Sequence, residues 1–193
     1  MPRRDGSQAD AAPASKADLA EFERFLKTFM NTVASQRADY LHDMDAIGWG
    51  KILDPERLKA DTTLNESKMI IKDARQIVAK YRAKTALLLD KFSEDVRNLN
   101  VSESAKESVL SGFEKGMSKS GSQIDAVWNY ESQEVDEAEQ IIMLLSRARG
   151  KWTVQNRHIL FENEGDLQEF NRHVKSISEI AQKKTNLRSR ESN

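Results

Sequence analysis

Apolar residues recur at intervals of three, four and seven along most of the chain. That spacing gathers them on one face of a helix. Leu19, Phe22, Leu26, Phe29, Val33, Tyr40, Met44 and Ile47 form one such seam, which predicts a helix over about residues 15–47. Ser15 with Asp18 supplies a capping box at its start, and Gly48 and Gly50 supply the stop. Asp54 and Pro55 then predict one short helical turn at the bundle end. A second seam, running from Ile70 through Ala74, Ile77, Tyr81, Leu88 and Phe92 to Val96, predicts a helix over about residues 64–99, opened by a box at Thr63–Glu66. The third runs from Leu110 through Phe113, Met117, Ile124, Trp128 and Val135 to Leu145, over about residues 103–149, capped by Ser102 or by Ser104, the latter forming a box with Glu107. Glycines and serines between Gly116 and Ser122 predict a kink or break in it. Leu167, Phe170, Val174, Ile177 and Ala181 predict the fourth long helix, over about residues 163–188 and capped by Asn163.

One stretch breaks this rhythm. After Gly150, Trp152 and Val154 alternate with polar neighbours, and so do Ile159 and Phe161. A period of two predicts a β-hairpin over about residues 152–161, with Gln155, Asn156, Arg157 and His158 as its turn and Asn156 suited to positive φ. The four apolar side chains then share one face, and that face needs covering. The short links make consecutive helices antiparallel neighbours. The expected fold is all-α with one small hairpin: an elongated up-down-up-down four-helix bundle with coiled-coil-like seams. Residues 1–14 read as a disordered tail, 15–188 as a single helical domain and 189–193 as a frayed end.

Charge refines the picture. Charged residues make up 32% of the chain, in near balance at a net charge of −1, which gives no global reason to bind nucleic acid. Locally, the second long helix is basic and the third has an acidic stretch from Glu131 to Glu139. A fold-back between them at residues 100–101 sets Lys68 level with about residue 133 and predicts cross-helix pairing. Lys68, Lys72, Arg75 and Arg82 share one exposed ridge, the candidate contact for phosphates or acidic lipid if that pairing fails.

The chemistry is sparse. Cysteine is absent, which excludes disulfides, thiolate metal sites and Cys nucleophiles. Glu169 with His173, and Asp39 with His42 and Asp43, lie at helical spacing, but the Glu-x-x-His pairs of di-metal bundles do not occur. Neither a nucleophile elbow, a phosphate loop nor a dinucleotide fingerprint is present. No cofactor, metal or catalytic residue is expected. The longest strongly apolar run, Ile141–Leu145, is far too short to span a bilayer, and no apolar signal core follows the N-terminus. A soluble, cytoplasmic chain is therefore expected.

Two functional readings follow. The first is a non-catalytic interaction or scaffold protein whose partner is another protein or its own copy, including a homodimer. The polar hairpin tip, Gln155 to His158, is its leading contact, because loop tips carry function. The second is a membrane-surface or pore-related bundle without stable insertion. In outline, long helices with an apolar β-tongue resemble helical pore-forming toxins. The tip here is polar and contains Arg157, and the chain is short for that group.

Overall fold

A computed structural model of the protein describes residues 15–190, with side chains as far as Leu187. It is a mostly helical bundle with one hairpin. In chain order come α1 (Lys16–Ala46), a 3-10 turn (Trp49–Lys51), α2 (Pro55–Ala60), α3 (Asn65–Arg97), α4 (Glu103–Arg147), β1 (Trp152–Gln155), β2 (His158–Phe161) and α5 (Glu164–Arg190). The four long helices run up, down, up and down. α4 lies between α3 and α5, and α1 packs on α3. The expected tail at 1–14 falls outside the described residues. Of the expected frayed end, Ser189 and Arg190 continue α5, and 191–193 lie outside the described residues.

Capping explains where several helices start. The Ser15 hydroxyl accepts the Asp18 N–H at 3.1 Å, and the Asp18 carboxylate accepts the Ser15 N–H at 3.3 Å. The same carboxylate accepts the Ser102 hydroxyl at 2.7 Å, tying the start of α1 to the start of α4. α2 begins on the Asp54 side-chain cap with Pro55 in its first position, as the sequence predicts. The Asn163 carboxamide oxygen caps α5 by accepting the Gly165 N–H at 2.7 Å.

Three expectations need correction. Of the two cap positions the sequence offers for α4, Ser102 and not Ser104 precedes the helix, so the Ser104–Glu107 box does not open it. The Thr63–Glu66 box does not form either. Leu64 takes a left-handed conformation (φ 57°) and is fully buried, so burial of its side chain offsets the backbone cost. Asp61 replaces the missing cap, accepting both the N–H and the hydroxyl of Ser67 at 2.8 Å each. Lastly, α4 continues unbroken through Gly116–Ser122. Each glycine costs about 1 kcal/mol relative to Ala, less than the packing of Phe113, Met117 and Ile124 returns. A Cβ at Gly116 would meet nothing within 4 Å. Gly116→Ala is therefore expected to raise stability by about 0.5–1 kcal/mol, measured as a higher urea midpoint with unchanged m-value.

The core falls into two parts. The larger sits at the hairpin end, around Tyr40, Leu58, Val78, Trp128, Ile141 and Leu145. The smaller sits at the other end, around Phe22, Phe92, Val96 and Ala105. The hairpin pairs Trp152 with Phe161 and Val154 with Ile159, and turns this apolar face inward as the alternation predicts. The Trp152 indole N–H donates to the Leu145 carbonyl at 2.9 Å, and Phe161 meets the Phe170 ring at 5.4 Å. The hairpin thus closes α4 and aims α5 back along the bundle.

Asp61 gives the fold a pH dependence. Burial alone would raise its carboxyl pKa. The Ser67 and Glu66 N–H groups, the Ser67 hydroxyl and the Arg57 guanidinium outweigh burial and hold it below the usual range. A depressed folded pKa stabilises above the unfolded value of about 3.9, and that stability is lost as pH falls through the folded value. Asp61→Asn is expected to cost about 1–2 kcal/mol at pH 7. Urea midpoints of wild type and variant should converge as pH falls below the ordinary carboxyl range; a gap as wide in acid as at neutrality would contradict this role.

Candidate interaction surface

The hairpin tip is tighter than expected. Gln155 and His158 belong to the strands and pair with each other, leaving Asn156 (φ 50°) and Arg157 (φ 63°) as a two-residue turn. All four side chains are exposed. Arg157 does not project outward alone, since its guanidinium lies 3.7 Å from Asp54, the cap of α2.

The basic ridge divides. Arg75 binds Asp136 at 2.6 Å and Glu139 at 2.7 Å, and Arg82 lies 3.8 Å from Asp125. The Asp136 hydrogen bond leads the contacts that raise the Arg75 pKa above its ordinary value. Cross-helix pairing therefore holds for half the ridge. The expected register is corrected, because Arg75 already reaches residues 136 and 139, so Lys68 lies beyond 133 towards the end of α4. The fold-back is a five-residue link, 98–102, rather than a point reversal at 100–101, since α3 stops at Arg97 and α4 starts at Glu103. Lys68 and Lys72 are exposed and make no ion pair among the described residues. The titratable pairs singled out in sequence have other partners. Glu169 binds Arg147 at 2.8 Å, His173 binds Glu137 at 2.5 Å, and Asp43 accepts from Lys80 and Tyr81.

Sequence reasoning missed a buried polar cluster. Glu131, only 5% exposed, accepts the Tyr40 hydroxyl at 2.9 Å and the Lys184 ammonium at 3.1 Å, and Arg37 stands 3.5 Å away. Lys184 also pairs with Glu134. Burial first, and then the Glu131 carboxylate, push the Tyr40 pKa up, so Tyr40 remains a donor. The signal was present in the sequence, because Glu131 lies between Trp128 and Val135 at seam spacing. It joins α1, α4 and α5 rather than the acidic outer face.

Just beyond this cluster the bundle loses its fourth helix. Six residues separate Lys184 from Arg190, so α5 ends about level with Asp125 on α4. Above that level, Arg37, Leu41 and Met44 on α1 share a cleft with Ala181, Lys184 and Thr185 on α5. Below it, among the described residues, the same face of α1 has no helix opposite. Leu19, Leu26 and Val33, expected in the inner seam, are 53%, 41% and 40% exposed, and Met30 is 61% exposed. The seam is correctly placed, but α5, described to Arg190, does not reach it.

The resulting gap is a groove of about 660 Å³. Thr85, Leu88 and Leu89 of α3 form its floor. Phe29, Met30 and Val33 of α1 and Ile124, Val127 and Trp128 of α4 form its walls, with Gln36 and Arg37 at the rim. The flanking sequence is depleted of charge. Residues 28–36, 85–89 and 126–130 carry none, in a chain that is 32% charged. Charge depletion with aromatic and Met enrichment marks the centre of protein interfaces. The groove is large enough for side chains and offers an incoming polar group little beyond its rim.

Among the described residues no cluster of three or more metal-type ligands occurs, and no helix is long and apolar enough to cross a membrane. No protein family, curated protein or solved structure matches the chain.

Proposed function

We propose that the protein is a non-catalytic interaction protein that receives an amphipathic helix in the groove between α1, α3 and α4. The observation that carries this reading is the exposed, charge-poor apolar face beyond the described end of α5, with Arg37 at its rim. Helix-in-groove recognition uses anchors at three-, four- and seven-residue intervals, the spacing at which α1, α3 and α4 present their own side chains here. The groove replaces the hairpin tip as leading contact, because the tip is a tight turn held near Asp54. The membrane-surface alternative is weaker. The apolar face of the hairpin is packed on the core, and of the ridge only Lys68 and Lys72 lack a paired carboxylate among the described residues.

The test is capture from source extract on immobilised full-length protein. Val33→Glu puts a charge on the groove wall, and Arg157→Gly alters only the tip. Val33→Glu is expected to reduce partner recovery by about tenfold or more, and Arg157→Gly to leave it unchanged. Recovery indifferent to Val33→Glu sinks the proposal.

A further inference from the structure

We infer that the helix entering the groove is α1 of a second copy of this chain, packed antiparallel about a two-fold axis at Met30. This rests on the reading of the groove as a helix-binding surface. Neither residues 1–14 nor residues 191–193 supply an apolar helix face. Residues 1–14 hold Met1 as their one large apolar side chain, and 191–193 are Glu-Ser-Asn.

A stripe of α1 does suit the groove, open over most of its length and bordering the α5 cleft at Arg37 and Leu41. Leu19, Glu23, Leu26, Met30, Ala34, Arg37 and Leu41 follow one another at intervals of three and four and lie on one stripe. An antiparallel partner about Met30 sets Met30 on Met30, Leu26 on Ala34, Glu23 on Arg37 and Leu19 on Leu41. Any helix reversed about its own residue repeats its spacing. The chemistry here is complementary as well: apolar meets apolar, large meets small at Leu26 and Ala34, and acid meets base at Glu23 and Arg37. Leu19 and Leu41, both more than half exposed, become the two ends of the contact. The stripe spans 23 residues, about 33 Å, longer than a small apolar ligand would cover. The arrangement is isologous, so each α1 lies along the α1 wall of the other protomer's groove, where Met30 and Arg37 line it, and the surface closes at two copies.

The absence of cysteine makes the test clean. Met30→Cys places a thiol at the axis, and Met143→Cys places one at a comparably exposed apolar site on α4, away from the groove. In full-length protein under mild oxidation, Met30→Cys is expected to form a disulfide dimer about tenfold faster or more than Met143→Cys. Sedimentation equilibrium is expected to show a dimer of the unmodified chain whose dissociation constant Val33→Glu raises about tenfold or more, with helical content unchanged by circular dichroism. A monomer at every concentration overturns the inference, as does a dimer indifferent to Val33→Glu with equal cross-linking at both cysteines. Either result leaves the groove as a surface for a different chain, which the capture experiment decides separately.

Discussion

Replacing Lys184 with Met is expected to lower the unfolding free energy by about 3 kcal/mol, measured by urea denaturation at pH 7. Glu131 and Glu134 face each other across this ammonium, and Glu131 is buried. Without it, one carboxylate stays inside the bundle with a second close by. Breaking a buried pair costs about 3–5 kcal/mol. The low end applies, because the Tyr40 hydroxyl and Arg37 still reach Glu131. The double variant Lys184→Met, Glu131→Gln should recover most of the loss, since neutral groups of similar size remove the uncompensated charge. If the double variant is as unstable as the sum of the two single ones, the groups act independently and this account of the cluster is wrong.

Phe92→Ala is expected to cost about 3–5 kcal/mol and to act at the opposite end. Phe92 is buried and central to four rings. Phe113 stacks on it at 3.9 Å, Phe29 meets it edge-on at 4.9 Å and Phe25 tilts against it at 5.3 Å. Three helices alone hold this end together, and the smaller core has little else to close over the cavity. Hydrogen exchange should show α1 from Lys16 to about Met30 losing protection before the residues around Leu58 and Ile141. Uniform loss along the bundle would mean that the two core parts are one cooperative unit.

Much of this architecture is readable from period and punctuation. The four long helices, the turn at Asp54–Pro55 and the hairpin follow from spacing, caps and stops, because those signals are local. What was not readable depended on lengths compared across the molecule. Leu19, Leu26 and Val33 have the periodicity of buried residues, and only the end of α5 near the level of Asp125 decides that they are exposed. That difference was latent in the sequence, since the fourth predicted helix is little more than half as long as the third. Glu131 shows the converse. Its charge placed it on the surface, while its seam position between Trp128 and Val135 turned it inward to Tyr40 and Lys184. Leu64 escaped for a third reason: a left-handed leucine is expensive locally, and only burial beneath the bundle end offsets it.

At its waist the bundle holds an apolar groove that the described residues leave open. Thiol labelling tests it most directly. Val33→Cys and Met44→Cys lie on the same face of α1, the first below the end of α5 and the second beneath it and buried. In dilute full-length protein, the account predicts that Val33→Cys reacts at nearly the rate of the exposed Met143→Cys, and Met44→Cys at least about a hundredfold slower, reporting local opening alone. Protection of Val33→Cys equal to that of Met44→Cys at every dilution would show that the chain closes its own groove, and would contradict the account.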